Sequence, residues 1–253
     1  MKCSLIGAMG TTAPVMTEMV KWLIESKEEY ISDVVIFVTD EEEVKKHAEL
    51  VISALNSSEW NIHSHWEELP FKDIQSEENN LEFIERVGDE IYKQKSKHDS
   101  DKIFLNVAGG RKTMAVGLHL LSQFNPVNSA YHVISPQISK LNIQLERQKD
   151  KIDEHFHSQN LDSYYKENKE TFDPILFPDL SEFKVIEIPS IPFPSSTLDE
   201  LKEVLTSDSR VKRKEVELTD NYLYRLHKKG LIKIKDNWLY PTSKGERIAK
   251  ILK

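Results

Sequence analysis

Two glycine-rich stretches, about a hundred residues apart, hold the side chains best suited to chemistry. The first reads Gly7, Ala8, Met9, Gly10, Thr11, Thr12, Ala13, Pro14; the second reads Asn106, Val107, Ala108, Gly109, Gly110, Arg111, Lys112, Thr113, Met114. Glycines let the backbone approach a ligand, threonine hydroxyls donate to phosphate or ribose oxygens, and a helix starting after each stretch aims its first amides at the same place. Arg111 and Lys112 fall in the first turn of such a helix, where a cation opposes the helix dipole at a cost of about a few tenths of a kcal/mol. An anion held between these cations and the amides accounts for that placement. Either stretch alone is ordinary strand-to-helix geometry; the two together outline an anion cradle.

Neither stretch is a familiar nucleotide loop. A Walker A loop needs glycine at position 105 and lysine at position 111, where the chain has Leu105 and Arg111, and Gly7 to Gly10 does not match G-x-G-x-x-G. The histidines do not make a metal site. His63 and His65 share a strand face but have no cysteine or carboxylate at a recognised ligand spacing, His155 and His157 share a polar segment where histidines are ordinary, and His119 and His132 are alone. No metal or cofactor is expected. Glu41 to Glu43 reads as a solvated helix start, and Trp60 and Trp66 as packing.

The elements that must position these loops follow from periodicity. Strands are expected at Cys3 to Ile6, Val34 to Val38, Asn61 to Trp66, Ile103 to Val107 and Ala130 to Ile134, the second and fourth as continuous apolar runs of central parallel strands. Between them lie amphipathic helices. One runs from Pro14 to about Lys27, one starts at Asp40 as its cap, one is opened by Ser76, and one follows Gly110. The alternation predicts an α/β fold with a Rossmann-like, mostly parallel sheet. Both cradle loops then fall at carboxyl ends of strands, where such sheets bind ligands.

Residues 135–182 are polar and read as a partly helical insertion before a further strand at Phe183 to Ile188. Pro189 to Pro194 holds three prolines and reads as a stiff linker. Beyond it, helices are expected at Leu198 to Leu205, Val211 to Leu218 and Asp220 to Lys229, the last ended by Gly230. A hairpin around Asp236 and Asn237 and a final helix from Lys244 to Leu252 complete a winged helix-turn-helix. The expected division is residues 1–194 and residues 195–253.

Of 253 residues, 39% are hydrophobic and 30% charged, and no apolar run approaches the roughly 18 residues of a membrane span. One cysteine, Cys3, excludes an intramolecular disulfide framework. Pro14 and Glu18 interrupt the N-terminal apolar stretch before a signal-peptide core develops, so a cytoplasmic protein is expected. The net charge of −8 is divided unevenly. Residues 198–253 carry 14 Lys and Arg against 9 Asp and Glu, a net +5 that leaves −13 on the rest. An acidic body repels nucleic acid at long range, so an anionic ligand there must meet a local cluster of donors.

Gly10, Thr11, Thr12, Ala13, Pro14, Val15 and Gly109, Gly110, Arg111, Lys112, Thr113, Met114 resemble the two signature loops of CRISPR-associated Rossmann-fold (CARF) domains. The resemblance covers roughly residues 1–194. It implies a homodimer that binds a cyclic oligoadenylate messenger across its two-fold axis, with Gly10, Thr11, Thr12, Gly109, Gly110, Arg111, Lys112 and Thr113 as ligand-binding residues. Relatives that degrade RNA carry R-x4-6-H, and no arginine of the C-terminal portion has a histidine at that distance. A CARF domain joined to a winged helix is similar to the archaeal ring nucleases. That likeness implies metal-independent cleavage of the messenger, most simply cyclic tetra-adenylate, into linear products ending in a 2′,3′-cyclic phosphate, switching off type III CRISPR antiviral signalling. Arg111, Lys112 and Thr11 would be its catalytic residues, and Lys140 or Lys166 of the insertion further cations able to reach over the ring. The alternative is a messenger-responsive transcription regulator, with Asn221, Tyr222, Arg225, Lys228 and Lys229 meeting DNA.

Overall fold

Apolar runs at β1 (Cys3–Ala8) and β2 (Ile31–Thr39) are buried almost throughout, as strands covered on both faces must be. With β3 (His63–Leu69), β4 (Lys102–Asn106), β5 (Ser129–Ile134) and β6 (Lys184–Ile188) they form a six-stranded sheet in the order β3-β2-β1-β4-β5-β6. The first five strands are parallel, and β6 runs antiparallel to β5 at the edge. This computed structural model describes residues 1–206 and 210–252.

Helices α1 (Pro14–Glu25), α2 (Glu42–Asn56), α3 (Glu77–Ser96) and α4 (Lys112–Phe124) make the crossovers. Alternate strand residues divide between two cores: Leu5, Val34, Ile36 and Tyr131 pack with α1 and α2, and Ile6, Val35, Phe37 and Leu105 pack with α3 and α4. The sheet is therefore a doubly wound, Rossmann-like α/β sheet. Strands are added outward from β1 to β3; β4 then returns to the free edge of β1. The strand order reverses between β1 and β4, and both glycine-rich loops leave the sheet there.

Ser76 caps α3 as expected, accepting from the Asn79 amide at 3.1 Å. Asp40 does not cap α2: Glu41 holds that position without a side-chain bond, and the Asp40 carboxylate accepts from Lys45 Nζ at 2.6 Å instead. The polar insertion is more ordered than its composition suggests. It forms α5 (Ile138–Arg147), α6 (Lys149–Phe156), α7 (Leu161–Glu167) and α8 (Lys169–Leu176), which join the α1/α2 core through Leu141, Leu145, Ile152, Tyr165, Phe172 and Leu176. Each helix is short and buries only one to three residues, so solvated side chains dominate the count. Within it, His155 is fully buried with Nε2 3.0 Å from Ser53 Oγ, and burial pushes it down to about 4.

The three-proline segment is neither helix nor strand and is anchored: the Phe193 amide donates to the Gln123 carbonyl at 3.1 Å, and its ring lies 5.0 Å from that of Phe124. Beyond it come α9 (Ser195–Thr206), β7 (Val211–Lys212), α10 (Asp220–Lys228), β8 (Ile232–Lys235), β9 (Trp238–Pro241) and α11 (Ser243–Ile251). The helix expected over Val211 to Leu218 is instead the short strand β7 and one 3-10 turn at Arg213–Glu215. β-branched Val211 pairs with Leu239 in a sheet of order β7-β9-β8. Asp236 and Asn237 both have positive φ (48° and 64°), as a two-residue hairpin turn demands, and Gly230 at φ 71° ends α10. Leu201, Val204, Leu205, Leu223, Leu226, Ile232 and Leu239 form a separate core here. This portion grips α3 through α11. Arg247 makes paired bonds of 2.8 and 2.9 Å to the Glu85 carboxylate and also contacts Glu78, while Lys244 contacts Glu77. No helix among the described residues is long and apolar enough to cross a membrane.

Candidate functional site

The β1–α1 and β4–α4 loops touch at their backbones. A Cβ on Gly109 would run into the Ala8 carbonyl oxygen, and one on Gly110 would lie 2.7 Å from Met114 Sδ and 3.0 Å from Ala8 Cβ. Gly110 also has φ 71°, a left-handed conformation that favours glycine. Between the loops stands Asn106, fully buried. Its Nδ2 donates to the Val15 carbonyl at 2.9 Å, and its Oδ1 accepts from the Ala108 amide at 2.9 Å. One side chain thus ties the start of α1 to the second loop. Asn106→Ala is expected to lower stability by about 2–3 kcal/mol, because it strands the Ala108 amide and leaves a void. Asn106→Asp should be no better, since a carboxylate would face the Val15 carbonyl. Denaturant unfolding checks both.

The loops border a cleft of about 740 Å³. Gly10, Thr11, Thr12, Gly109, Gly110 and Arg111 line it, so the fold brings together six of the eight residues singled out by type. Lys112 and Thr113 are exposed in the first turn of α4 and lie outside the lining. Neither α1 nor α4 has a side-chain cap on its first amides. Arg111 Nε donates to Asp73 Oδ1 at 2.8 Å, yet the arginine side chain stays 64% exposed. It is tethered at the rim rather than consumed in the interior.

Other loops complete the cleft: Lys72 after β3, Thr39, Glu41 and Glu43 around the start of α2, and His132, Ile134 and Ser135 at the end of β5. In the sequence the Glu41 to Glu43 run reads only as a helix start and His132 only as a lone histidine, and no glycine or unusual run marks Thr39, Lys72, Ile134 or Ser135. Lys72 and Asp73 lie just past the carboxyl end of a parallel strand, the only signal they carry. Lys140 and Lys166 do not line the cleft: Lys140 is exposed on α5 beside Gln137, and Lys166 is exposed on α7, which packs against α2. Among the described residues, no group of three or more His, Cys, Asp or Glu is placed to hold a metal ion. His63 and His65 rings are 5.5 Å apart, with His63 beside Asp33 at 3.6 Å.

Under the cleft, α1 buries Glu18 completely, and neither carboxylate oxygen has a hydrogen-bond partner. Burial pushes its carboxyl up to about 7; the nearby Ser135 hydroxyl opposes the shift without completing a hydrogen bond, and Glu182 adds to it. The folded protein therefore holds this proton where the unfolded chain releases it, so stability falls as pH rises from about 4.5 to 7. The loss amounts to about 3 kcal/mol above that window. Glu18→Gln is expected to remove this decline: melting should match the parent near pH 4 and exceed it at pH 8.

A family model described as CRISPR-associated protein NE0113 matches residues 12–220. The search of curated proteins found no match. Among solved structures, Enterococcus italicus Csm6 bound to cyclic hexa-2′-fluoro-hexa-dAMP is similar at TM-score 0.51 and 16% identity, covering 81% of this chain and 46% of that one. Protein VC1899 from Vibrio cholerae aligns at TM-score 0.35 and 11% identity over 99% of this chain and 65% of its own. The chain thus spans under half the length of the Enterococcus protein, and the likeness concerns the fold. With the family match covering residues 12–220, well over half of the chain, the chain belongs to the CRISPR-associated protein NE0113 family.

Proposed function

We propose that the protein is a CARF-type ring nuclease: a homodimer that binds cyclic oligoadenylate, cyclic tetra-adenylate by preference, and cuts it without a metal. The observation that carries this reading is the locked pair of loops at the strand-order reversal, which presents two helix N-termini, threonine hydroxyls and Arg111 to one cleft. Membership of a CRISPR-associated family and the fold shared with a Csm6 bound to a cyclic hexanucleotide analogue support a messenger of that class. Val116, Ile134 and Ile186 are 70%, 41% and 44% exposed, and Ile134 also lines the cleft. A second copy covering these residues would enlarge the cleft into a site for a ring.

RNA contains its own nucleophile. A ribose 2′-oxygen attacks the adjacent 3′-phosphorus, the bond to the 5′-oxygen breaks, and the ring opens to a linear chain ending in a 2′,3′-cyclic phosphate. The protein must hold the three atoms in line. In this reading, Arg111 and the Gly110 and Lys112 amides grip the phosphate, Lys112 neutralises charge as it develops, and Thr11 or Thr12 orients the ribose. A ring phosphate replaces Asp73 as the partner of Arg111.

The test is incubation of the protein with cyclic tri-, tetra- and hexa-adenylate in excess chelator, followed by chromatography. Linear products with cyclic phosphate ends are expected; rings that bind yet stay intact would refute the enzyme. The regulator reading is favoured by a different observation. The C-terminal elements run α9, β7, α10, β8, β9 and α11, and Arg225, Lys228 and Lys229 are exposed on or just after α10. It requires a ring-dependent gel shift on duplex DNA, lost when those cations are reversed.

A further inference from the structure

The outer face of the small C-terminal sheet alternates cations with aromatic rings. In register, Lys212 of β7, Trp238 of β9 and Lys235 of β8 form one row, and Tyr240 and Lys233 form the next. The Arg210 guanidinium lies 3.9 Å from the centre of the Trp238 ring, and Lys212 Nζ lies 5.2 Å from it. The opposite face packs Val211, Leu239 and Ile232 into the local core and leaves Ile234, beside Leu239, 40% exposed. One side of the sheet is therefore committed to packing, and the other presents four cations around two rings.

Ordinary surface charges are neutralised nearby, and these largely are not. Lys233 and Lys235 are exposed and form no ion pair with any described residue. Lys212 meets Glu215 only at 3.9 Å, and Asp236 at the hairpin tip is the one carboxylate in the adjoining turn. Beside Trp238 lies an open hollow of about 490 Å³ bordered by Arg213, Lys214 and Asn237; Arg213 is already bound to Asp220 at 2.6 Å, while Lys214 is exposed. Since residues 1–197 carry −13, this face is where a polyanion meets attraction rather than repulsion.

We infer that this face binds single-stranded nucleic acid. A flat sheet with rings between cations suits unpaired bases, which can stack on Trp238, on Tyr240 or on the guanidinium plane of Arg210 while the lysines follow the phosphates. A duplex keeps its base faces stacked internally and gains nothing from the rings. The site is distinct from the ring cleft and from the exposed cations of α10, and it does not depend on the ring nuclease reading.

The full-length protein is titrated against fluorescein-labelled oligouridylate and oligodeoxythymidylate of about 12 nucleotides, with a duplex of equal length alongside, and anisotropy is followed as salt rises. Tighter binding of single strands is expected, with log K falling against log salt at a slope of about −3 for four contacts. Lys233→Glu with Lys235→Glu should weaken binding at least tenfold with an unchanged melting temperature. Trp238→Ala should weaken it about tenfold and Trp238→Phe should restore most of it. Equal or tighter duplex binding overturns the proposal. So does binding that survives the paired lysine reversal but is lost in Arg225→Glu with Lys228→Glu, or the absence of binding to either single strand at low salt.

Discussion

Gly109→Val is expected to disable the cleft, while Gly10→Ala, on the facing loop, leaves the fold and its melting temperature as they were. A side chain at Gly109 points into the Ala8 carbonyl, with the Ala8 carbonyl carbon at 3.3 Å and Met9 Cα at 3.4 Å behind it. These are backbone atoms, and the Met9 amide is itself bonded to the Phe37 carbonyl at 3.0 Å, so they cannot rotate away as a side chain would. The second loop must lift, breaking the bond between Asn106 and the Ala108 amide. Overpacking of this kind costs about 1–3 kcal/mol, which lowers the melting temperature by roughly 3–10 °C. The donors of the two loops then no longer converge, and affinity for cyclic tetra-adenylate should fall more than 100-fold. At Gly10 an added methyl meets nothing within 4 Å. Calorimetric titration and thermal melting of the two variants separate them; normal melting and binding by Gly109→Val would show that the loops are not locked.

Arg111→Ala should separate binding from stability. Its pair with Asp73 is exposed, and such surface pairs contribute about 0–1 kcal/mol, so melting should barely change. A charged hydrogen bond to phosphate is worth about 1.5–3 kcal/mol, which corresponds to about a 10- to 100-fold loss of ring affinity. Lys112→Ala should do the converse: ring affinity within about threefold of the parent, and cleavage slowed at least tenfold. Single-turnover cleavage with saturating cyclic tetra-adenylate distinguishes the two. Parental cleavage by the Lys112 variant would remove that lysine from the mechanism and point to Lys72, which lines the cleft itself.

The two variants also show how far residue type can be trusted. Arg111 and Lys112 are neighbours of the same charge in the same helical turn, and nothing in their order distinguishes them; in the fold only Arg111 borders the cleft and has a tether. Asp73, that tether, is 38 residues away in sequence. Glu18 looked like a mere interruption of an apolar stretch, yet a helix face places it wholly out of water. The insertion is polar in composition, yet Tyr165 and Phe172 stack at 5.8 Å within the core.

Strand and helix periodicity, glycine placement and the caps at Ser76 and Gly230 were legible along the chain because they express local rules: burial of alternate or every third to fourth residue, and backbone angles open to few side chains. From these the α/β class, the two loops and most of their donors follow. Which donors meet was settled only when β4 returned beside β1, because the contacts of Asn106 with Val15 and of Gly109 with Ala8 join segments about ninety to a hundred residues apart. Such contacts depend on strand order, which no local preference encodes, and the depth at which Glu18 and the insertion helices are buried depends on it in turn.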